Sequence, residues 1–233
     1  MSSMNDLRTV ALTSAVMKVC ERVVLCKLEK LVKEYLDPLQ FAYRKNRSTD
    51  DAVLYSLENI YLHSEKRKKE GSTVRIIFFD FSSAFNTIQP HLLVQKLLNM
   101  KLPSSFISWI FDYLTSRLQY VRLNGLLSSA IRTNIGAPQG TVLAPFLFAL
   151  YTADCRSTDE SCPLVKFADD TELVGKISND EDAVYHKQIE NFVKWCDKKY
   201  LYMNVSKMKE MCIDFRKNQR CPKLVYIKGE AAE

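Results

Sequence analysis

Residues 10–35 set Ala15, Val16, Val19, Val23, Val24, Leu28, Leu31 and Val32 at helical spacing, while Lys18, Glu21, Arg22, Lys27, Glu29 and Lys30 occupy most of the rest. That pattern predicts an amphipathic helix with its valine–leucine stripe turned inward. Leu36-Asp37-Pro38 breaks it, and Gln40 to Arg47 follows as a loop. Over 49–66 the helical period returns with Ala52, Val53, Leu57, Ile60 and Tyr61 inward, and Ser48-Thr49-Asp50-Asp51 reads as its N-terminal cap. The period then changes. Five of the six residues from Val74 to Phe79 are apolar or β-branched, as in a strand buried on both faces.

Two helices are expected over 90–101 and 103–116, parted by Lys101-Leu102-Pro103, with Trp109, Ile110, Phe111, Tyr113 and Leu114 in the core. Residues 117–123 and 127–135 form a hairpin pattern around Asn124-Gly125, a strong turn signal. Gly136-Ala137-Pro138-Gln139-Gly140 opens a helix from about Val142 to Ala153. Short β-prone runs flank Asp169-Asp170. A helix over 179–200 turns Val184, Ile189, Phe192, Val193 and Trp195 to its apolar side, and strands at 210–215 and 223–227 close the chain. Interspersed helices and strands of this kind predict an α+β fold.

Composition narrows the classes. With 233 residues, 47% of them hydrophobic and 26% charged, the chain can bury a substantial core as one domain or two packed lobes. Its net charge of +6 leans toward a polyanionic partner. Seven cysteines without a Cys-x-x-Cys pair, and only three histidines, argue against zinc and for a reduced intracellular setting. No apolar run reaches the roughly 18 residues of a membrane span, and the start MSSMNDLRT lacks the apolar core of a signal peptide.

The candidate chemistry lies in three aspartates. Asp169 and Asp170 sit between β-prone runs, and adjacent carboxylates in a partly buried site repel unless one is protonated or a cation screens them. Oxygen ligands favour Mg²⁺ or Mn²⁺. Taken alone, an Asp-Asp pair reads more simply as a solvated acidic turn, and Asp50-Asp51 reads as the same dipeptide used as a helix cap. What separates the second pair is Asp80, at the end of the apolar strand, where a carboxylate is costly to bury unless paired, hydrogen-bonded or metal-bound. Three such carboxylates on two strands can converge on a pair of metal ions suited to in-line phosphoryl transfer.

The segments FFDFSSAFNTI, GAPQGTVLAPFLF and FADDT, in that order, resemble motifs A, B and C of a reverse transcriptase of the non-LTR (LINE-type) retrotransposons. NDLRTVALTSAVMKVCER and QFAYRKNRSTDDAV resemble its finger motifs and WCDKKYLYMNVSKMKEM its motif D, so the likeness runs from about residue 5 to about 227. It implies a right-hand palm, an antiparallel sheet backed by helices, with mostly helical fingers. The divisions expected are 1–72 fingers, 73–88 palm with motif A, 89–135 helices and hairpin, 136–228 palm with motifs B to D, and 229–233 a tail.

The same likeness implies the roles. Asp80, Asp169, Asp170 and the backbone carbonyl of Phe81 would hold two Mg²⁺ ions, with Mn²⁺ as a substitute. Phe85, five residues past Asp80, would exclude a 2′-hydroxyl by steric collision. Gln139 and Gly140 would lie against the incoming nucleotide, and Arg8 would contact its triphosphate. Arg44 and Arg47, in a loop whose cations and aromatics suit phosphates and stacked bases, would follow the template. Lys207, with Lys209 as fallback, would protonate the leaving pyrophosphate.

The implied partners are an RNA template, a DNA primer and dNTPs. Departures from the family pattern lie at the ends: few residues precede Arg8, and the primer grip, thumb, endonuclease and Cys/His knuckle have no counterpart in the sequence. Each residue has a simpler structural role available: Phe85 in the core, Arg8 and Lys207 on the surface, 40–47 as a solvated basic loop, and Glu65 to Gly71 as a solvated loop more than a nuclear-localisation patch. A non-catalytic relic of the same fold and an RNA-directed RNA polymerase are the competing functions, with Phe85 opposing the latter.

Overall fold

The apolar run ahead of Asp80 and the two runs flanking Asp169 become neighbours in one antiparallel sheet. A computed structural model describes residues 10–66, 72–216 and 224–232. In chain order its elements are α1 (Ala15–Val32), α2 (Thr49–Lys66), β1 (Thr73–Phe79), α3 (Pro90–Asn99), α4 (Ser104–Leu114), β2 (Arg117–Gln119), β3 (Arg122–Leu123), β4 (Leu126–Leu127), β5 (Ile131–Thr133), α5 (Ala144–Tyr151), β6 (Leu164–Phe167), β7 (Asp170–Ile177), α6 (Ala183–Lys198), β8 (Lys209–Ile213), β9 (Tyr226–Ile227) and β10 (Glu230–Ala231). The α+β class is as expected. Arg8, the basic run 67–71 and Cys221 lie outside the described residues.

Contacts divide the chain into two units, Met1–Leu36 with Ser83–Thr152, and Asp37–Ser82 with Ala153–Glu233. In this division α2 groups with the sheet.

In the second unit the strand order is β6-β7-β1-β8. Central β1 is buried at every position but Phe78, which explains why its run is apolar but for Thr73 and Arg75. Alternation sends Val74 and Ile76 to one face, where they meet Val174 and Ile60 of α2. Phe79 faces the other way, its ring 4.2 Å from that of Phe192 in α6. Gly175 allows α6 to come close: a Cβ there would stand 2.3 Å from the Tyr185 ring. Arg75, buried in the middle of β1, donates to both oxygens of Glu210 (2.7 and 3.0 Å) and to Asp182 at 2.8 Å.

The inward faces of the helices differ from expectation. On α2, Val53, Leu57 and Tyr61 are exposed, whereas Ala52, Ser56 and Ile60 are buried. The cause is polar: the strands present the Glu172 carboxyl, Lys176 and the Ile177 carbonyl, which Ser56, Asn59 and His63 meet with hydrogen bonds. On α6, Tyr185, Gln188 and Cys196 join Ile189 and Phe192 inside, while Val184 faces out and Val193 and Trp195 are half-buried. The first closing strand is β8, paired to β1. The second is not in the sheet: β9 pairs with β10 as a separate hairpin, with Ala232 buried.

In the first unit α1 keeps only part of the expected stripe inside. Val16 (74% exposed), Val19, Val23 and Leu31 face out, and the buried positions are Glu21, Leu28 and Val32. Glu21 is inside because its carboxylate caps α5, accepting from the N–H groups of Val142 (2.6 Å) and Leu143 (3.1 Å). α3 and α4 pack through Leu93, Leu97, Ile107, Ile110 and Leu114. Of the expected core residues there, Phe111 is exposed and Trp109 half-buried, stacked on Tyr113 at 5.4 Å. The hairpin forms as expected: β2 pairs with β5 and β3 with β4, around Asn124 (φ 48) and Gly125 (φ 83), two positive angles that fit a type I′ turn.

Candidate active site

The hairpin of β6 and β7 closes on the pair Phe167↔Asp170, leaving Ala168 and Asp169 as a two-residue loop. Ala168 has φ 60, a left-handed conformation that a residue with a Cβ adopts rarely and at a cost of about 1–3 kcal/mol. Two hydrogen bonds hold it: Gln40 Nε2 donates to the Ala168 carbonyl and the Ala168 N–H donates to Gln40 Oε1, both at 3.1 Å. Sequence reasoning missed Gln40, and no local signal could have found it, because the contact joins residues 128 apart.

β1 runs antiparallel to β7 with Phe79 opposite Thr171 as its last pair. Asp80 follows β1 directly and Asp170 begins β7, so both lie at the same end of this ladder. On the other side, Asn204 N–H donates to the Asp80 carbonyl (2.9 Å) and Ser82 N–H to the Tyr202 carbonyl (2.8 Å), flanking the bridge Phe81↔Met203. Neither bond uses the Phe81 carbonyl. The backbone thus brings all three aspartates to one end of the sheet. The side chains are less converged: among the described residues no three His, Cys, Asp or Glu groups are gathered closely enough to hold a metal ion. The donor chemistry and the strand register fit hard divalent ions; the carboxylates would have to turn inward to receive them.

Tyr43, at φ 59, lies near this end. Its hydroxyl pKa is raised by burial and then by the charges of Asp169 and Asp170. Arg44 Nη1 donates to the Asp37 carbonyl at 3.0 Å, and the Arg47 guanidinium lies 4.9 Å from the Phe41 ring centre. Both arginines therefore also brace their own loop. Lys207, itself exposed, ends the 3₁₀ turn Val205–Lys207, in which Val205 is buried, whereas Lys209 begins β8 opposite Phe78. By alternation, position 209 shares the sheet face of Phe78 and, two residues on, of Asp80.

Phe85, Gln139 and Gly140 belong to the first unit. Phe85 is 9% exposed, its ring 4.9 Å from Phe148, and its carbonyl accepts the Ala137 N–H at 2.8 Å. Gly136 lies on the backbone of Asn86, where a Cβ would come within 2.8 Å of the Asn86 carbonyl oxygen. The 85–88 and 136–140 segments are thus joined. The Gln139 carbonyl accepts the Ala11 N–H at 2.7 Å.

Comparison with known proteins identifies the family and the fold. Residues 2–227 match the family model described as "Reverse transcriptase (RNA-dependent DNA polymerase)". The chain is 27% identical over 228 residues to the "Probable RNA-directed DNA polymerase from transposon X-element" of Drosophila melanogaster, covering 94% of this chain and 24% of that protein. It is 26% identical over 213 residues to the "RNA-directed DNA polymerase from mobile element jockey" of Drosophila funebris, covering 86% and 22%. The chain therefore spans about a quarter of the length of the curated relatives it matches. Among solved structures, apo telomerase from Candida tropicalis, truncated from its C-terminal domain, aligns with a TM-score of 0.62 at 14% identity, over 87% of this chain and 41% of that one. Telomerase from Candida albicans in complex with a fragment of telomeric RNA aligns at 0.59 and 16% identity, over 87% and 36%. At those identities the likeness is one of fold. The family match spans nearly the whole chain, and the chain belongs to the reverse transcriptase (RNA-dependent DNA polymerase) family.

Proposed function

We propose that this chain carries the palm and part of the fingers of a LINE-type reverse transcriptase, with RNA-templated DNA synthesis as its reaction and Asp80, Asp169 and Asp170 as its metal-holding side chains. The observation that carries this is the register of β1 on β7, which brings Asp80 to the Asp169-Asp170 turn. Two divalent ions, when bound there with the Phe81 carbonyl, supply charge neutralisation for the attack of a primer 3′-hydroxyl on a dNTP. The protein's part is positional. Within the second unit the β6–β7 turn carries Asp169 and Asp170; in the first, Phe85 is the candidate barrier to a 2′-hydroxyl, and Gln139 and Gly140 are the candidate contacts to the incoming nucleotide. Arg8, outside the described residues, is the candidate contact to the triphosphate, and Arg44 and Arg47 are the candidate contacts to template phosphates. Of the two candidate proton donors to pyrophosphate, Lys209 is favoured over Lys207 because it shares the sheet face of Asp80.

A second reading is nucleic-acid binding without catalysis, toward which the net charge of +6 leans. The test is primer extension on an RNA template with Mg²⁺ and either dNTPs or rNTPs, by this chain, by a version lengthened beyond residue 233, and by each carrying Asp169→Asn. Weak incorporation by the chain and clear, dNTP-selective incorporation by the longer form, lost with Asp169→Asn, is expected. Incorporation that survives Asp169→Asn would overturn the proposal, and none by either form would favour the binding role. Efficient rNTP use, unchanged in Phe85→Ala, would favour an RNA polymerase.

A further inference from the structure

The turn carrying Asp169 is gripped from outside its own hairpin. Gln40 is buried at 3% exposure, and its amide makes three hydrogen bonds: to the Ala168 carbonyl, from the Ala168 N–H, and from the Ala42 N–H, each at 3.1 Å. The segment bearing it is fixed to β6 by a parallel bridge between Gln40 and Lys166, with Phe41 N–H donating to the Lys166 carbonyl (2.8 Å) and Lys166 N–H to the Leu39 carbonyl (2.9 Å). Beneath it, Lys166 Nζ pairs with buried Asp37 at 2.6 Å and donates to the Cys155 carbonyl at 2.7 Å. A rigidly seated amide thus satisfies both backbone groups of the one left-handed residue in the loop.

We propose that Gln40 is a positioning residue for metal binding, fixing the peptide of Ala168 so that Asp169 is aimed at the site it shares with Asp80. This rests on the metal-holding role proposed above. A backbone held at both its donor and its acceptor cannot rotate, whereas one left-handed alanine in a two-residue loop has an extended alternative that turns the next side chain away. Gln40 also begins the segment that leads to Tyr43, Arg44 and Arg47, so the same amide ties the basic loop to the acidic turn.

Gln40→Met keeps the length and volume of the side chain and removes the amide; Gln40→Asn keeps the amide one methylene short. Mn²⁺ binding to the full chain, followed by electron paramagnetic resonance, reads the effect without any need for catalysis. The Mn²⁺ dissociation constant is expected to rise about tenfold in Gln40→Met, and less in Gln40→Asn, with hydrogen exchange accelerated at the Ala168 amide. A double-mutant cycle separates positioning from general stability: in an Asp169→Asn background, Gln40→Met should change Mn²⁺ binding less than about twofold. Equal losses in both backgrounds, or unchanged Mn²⁺ binding in both folded variants, would overturn the role of Gln40. If Asp169→Asn itself left Mn²⁺ binding unaltered, the metal assignment would fail first, and this proposal with it.

Discussion

The chain contains the dipeptide Asp-Asp twice, and its surroundings put each copy to a different use. Asp50 and Asp51 occupy the first turn of α2, where Asp51 Oδ2 accepts from the Ser48 N–H at 2.6 Å and from its hydroxyl at 2.9 Å, and Ser48 Oγ accepts the Asp51 N–H at 3.3 Å. That is a reciprocal cap. Asp169 and Asp170 instead stand at the tip of a hairpin, with a third aspartate brought alongside by the register of β1. A cap needs only neighbours in sequence. A metal site needs an acid from a distant strand, and a turn held in place by something else.

The largest expected effect tests that holding. Lys166→Met leaves the Asp37 carboxylate buried without its ammonium partner, a loss of about 3–5 kcal/mol. It should appear as a large drop in the urea midpoint and loosening of residues 37–42. Asp37→Leu combined with Lys166→Met should recover much of it. Next comes the cap. Asp51→Ala should lower Tm by roughly 2–4 °C while leaving Mn²⁺ binding unchanged. Hydrogen bonds from the Ser48 N–H, then from its hydroxyl, hold the Asp51 carboxyl below the usual carboxylate range. Its stabilisation is therefore full above the unfolded pKa of about 3.9 and is lost as pH falls through the lower folded value.

The smallest effect has the opposite sign. Two residues past the second pair, Glu172 has its pKa raised by burial, partly offset by the hydrogen bond from Ser56. Its favourable contribution is complete below the unfolded pKa of about 4.3 and declines as pH rises through the folded value. Glu172→Gln should thus raise Tm slightly at pH 7 and leave it unchanged at pH 4, as measured by calorimetry.

What could be read from the sequence divides along the same line. The cap, the strand ending at Asp80, the Asn124-Gly125 turn and the bounds of α2 depend on adjacent residues, and all form as expected. The inward faces of α1 and α2 followed only some of their valines and leucines: Leu28 and Val32 are buried, but Val16, Val19, Val53 and Leu57 are exposed. Glu21 and Ser56 turn inside because a helix end and a strand edge need polar partners there, a demand that arises only once distant elements meet. Gln40 and the Arg75–Glu210 pair were hidden for the same reason. Hydrophobic period locates an element well, but orients it poorly where the neighbour presents backbone or charge.

The central claim is that the second pair, and not the first, works with Asp80 to hold divalent metal. Titrating Mn²⁺ into the wild-type chain and into Asp80→Asn, Asp169→Asn, Asp50→Asn and Asp51→Asn, with bound ion counted by electron paramagnetic resonance, tests it directly. Binding should be lost or weakened at least tenfold in the first two variants and match wild type in the last two. Equal binding in all five proteins, or a loss with Asp51→Asn as large as with Asp80→Asn, would contradict it.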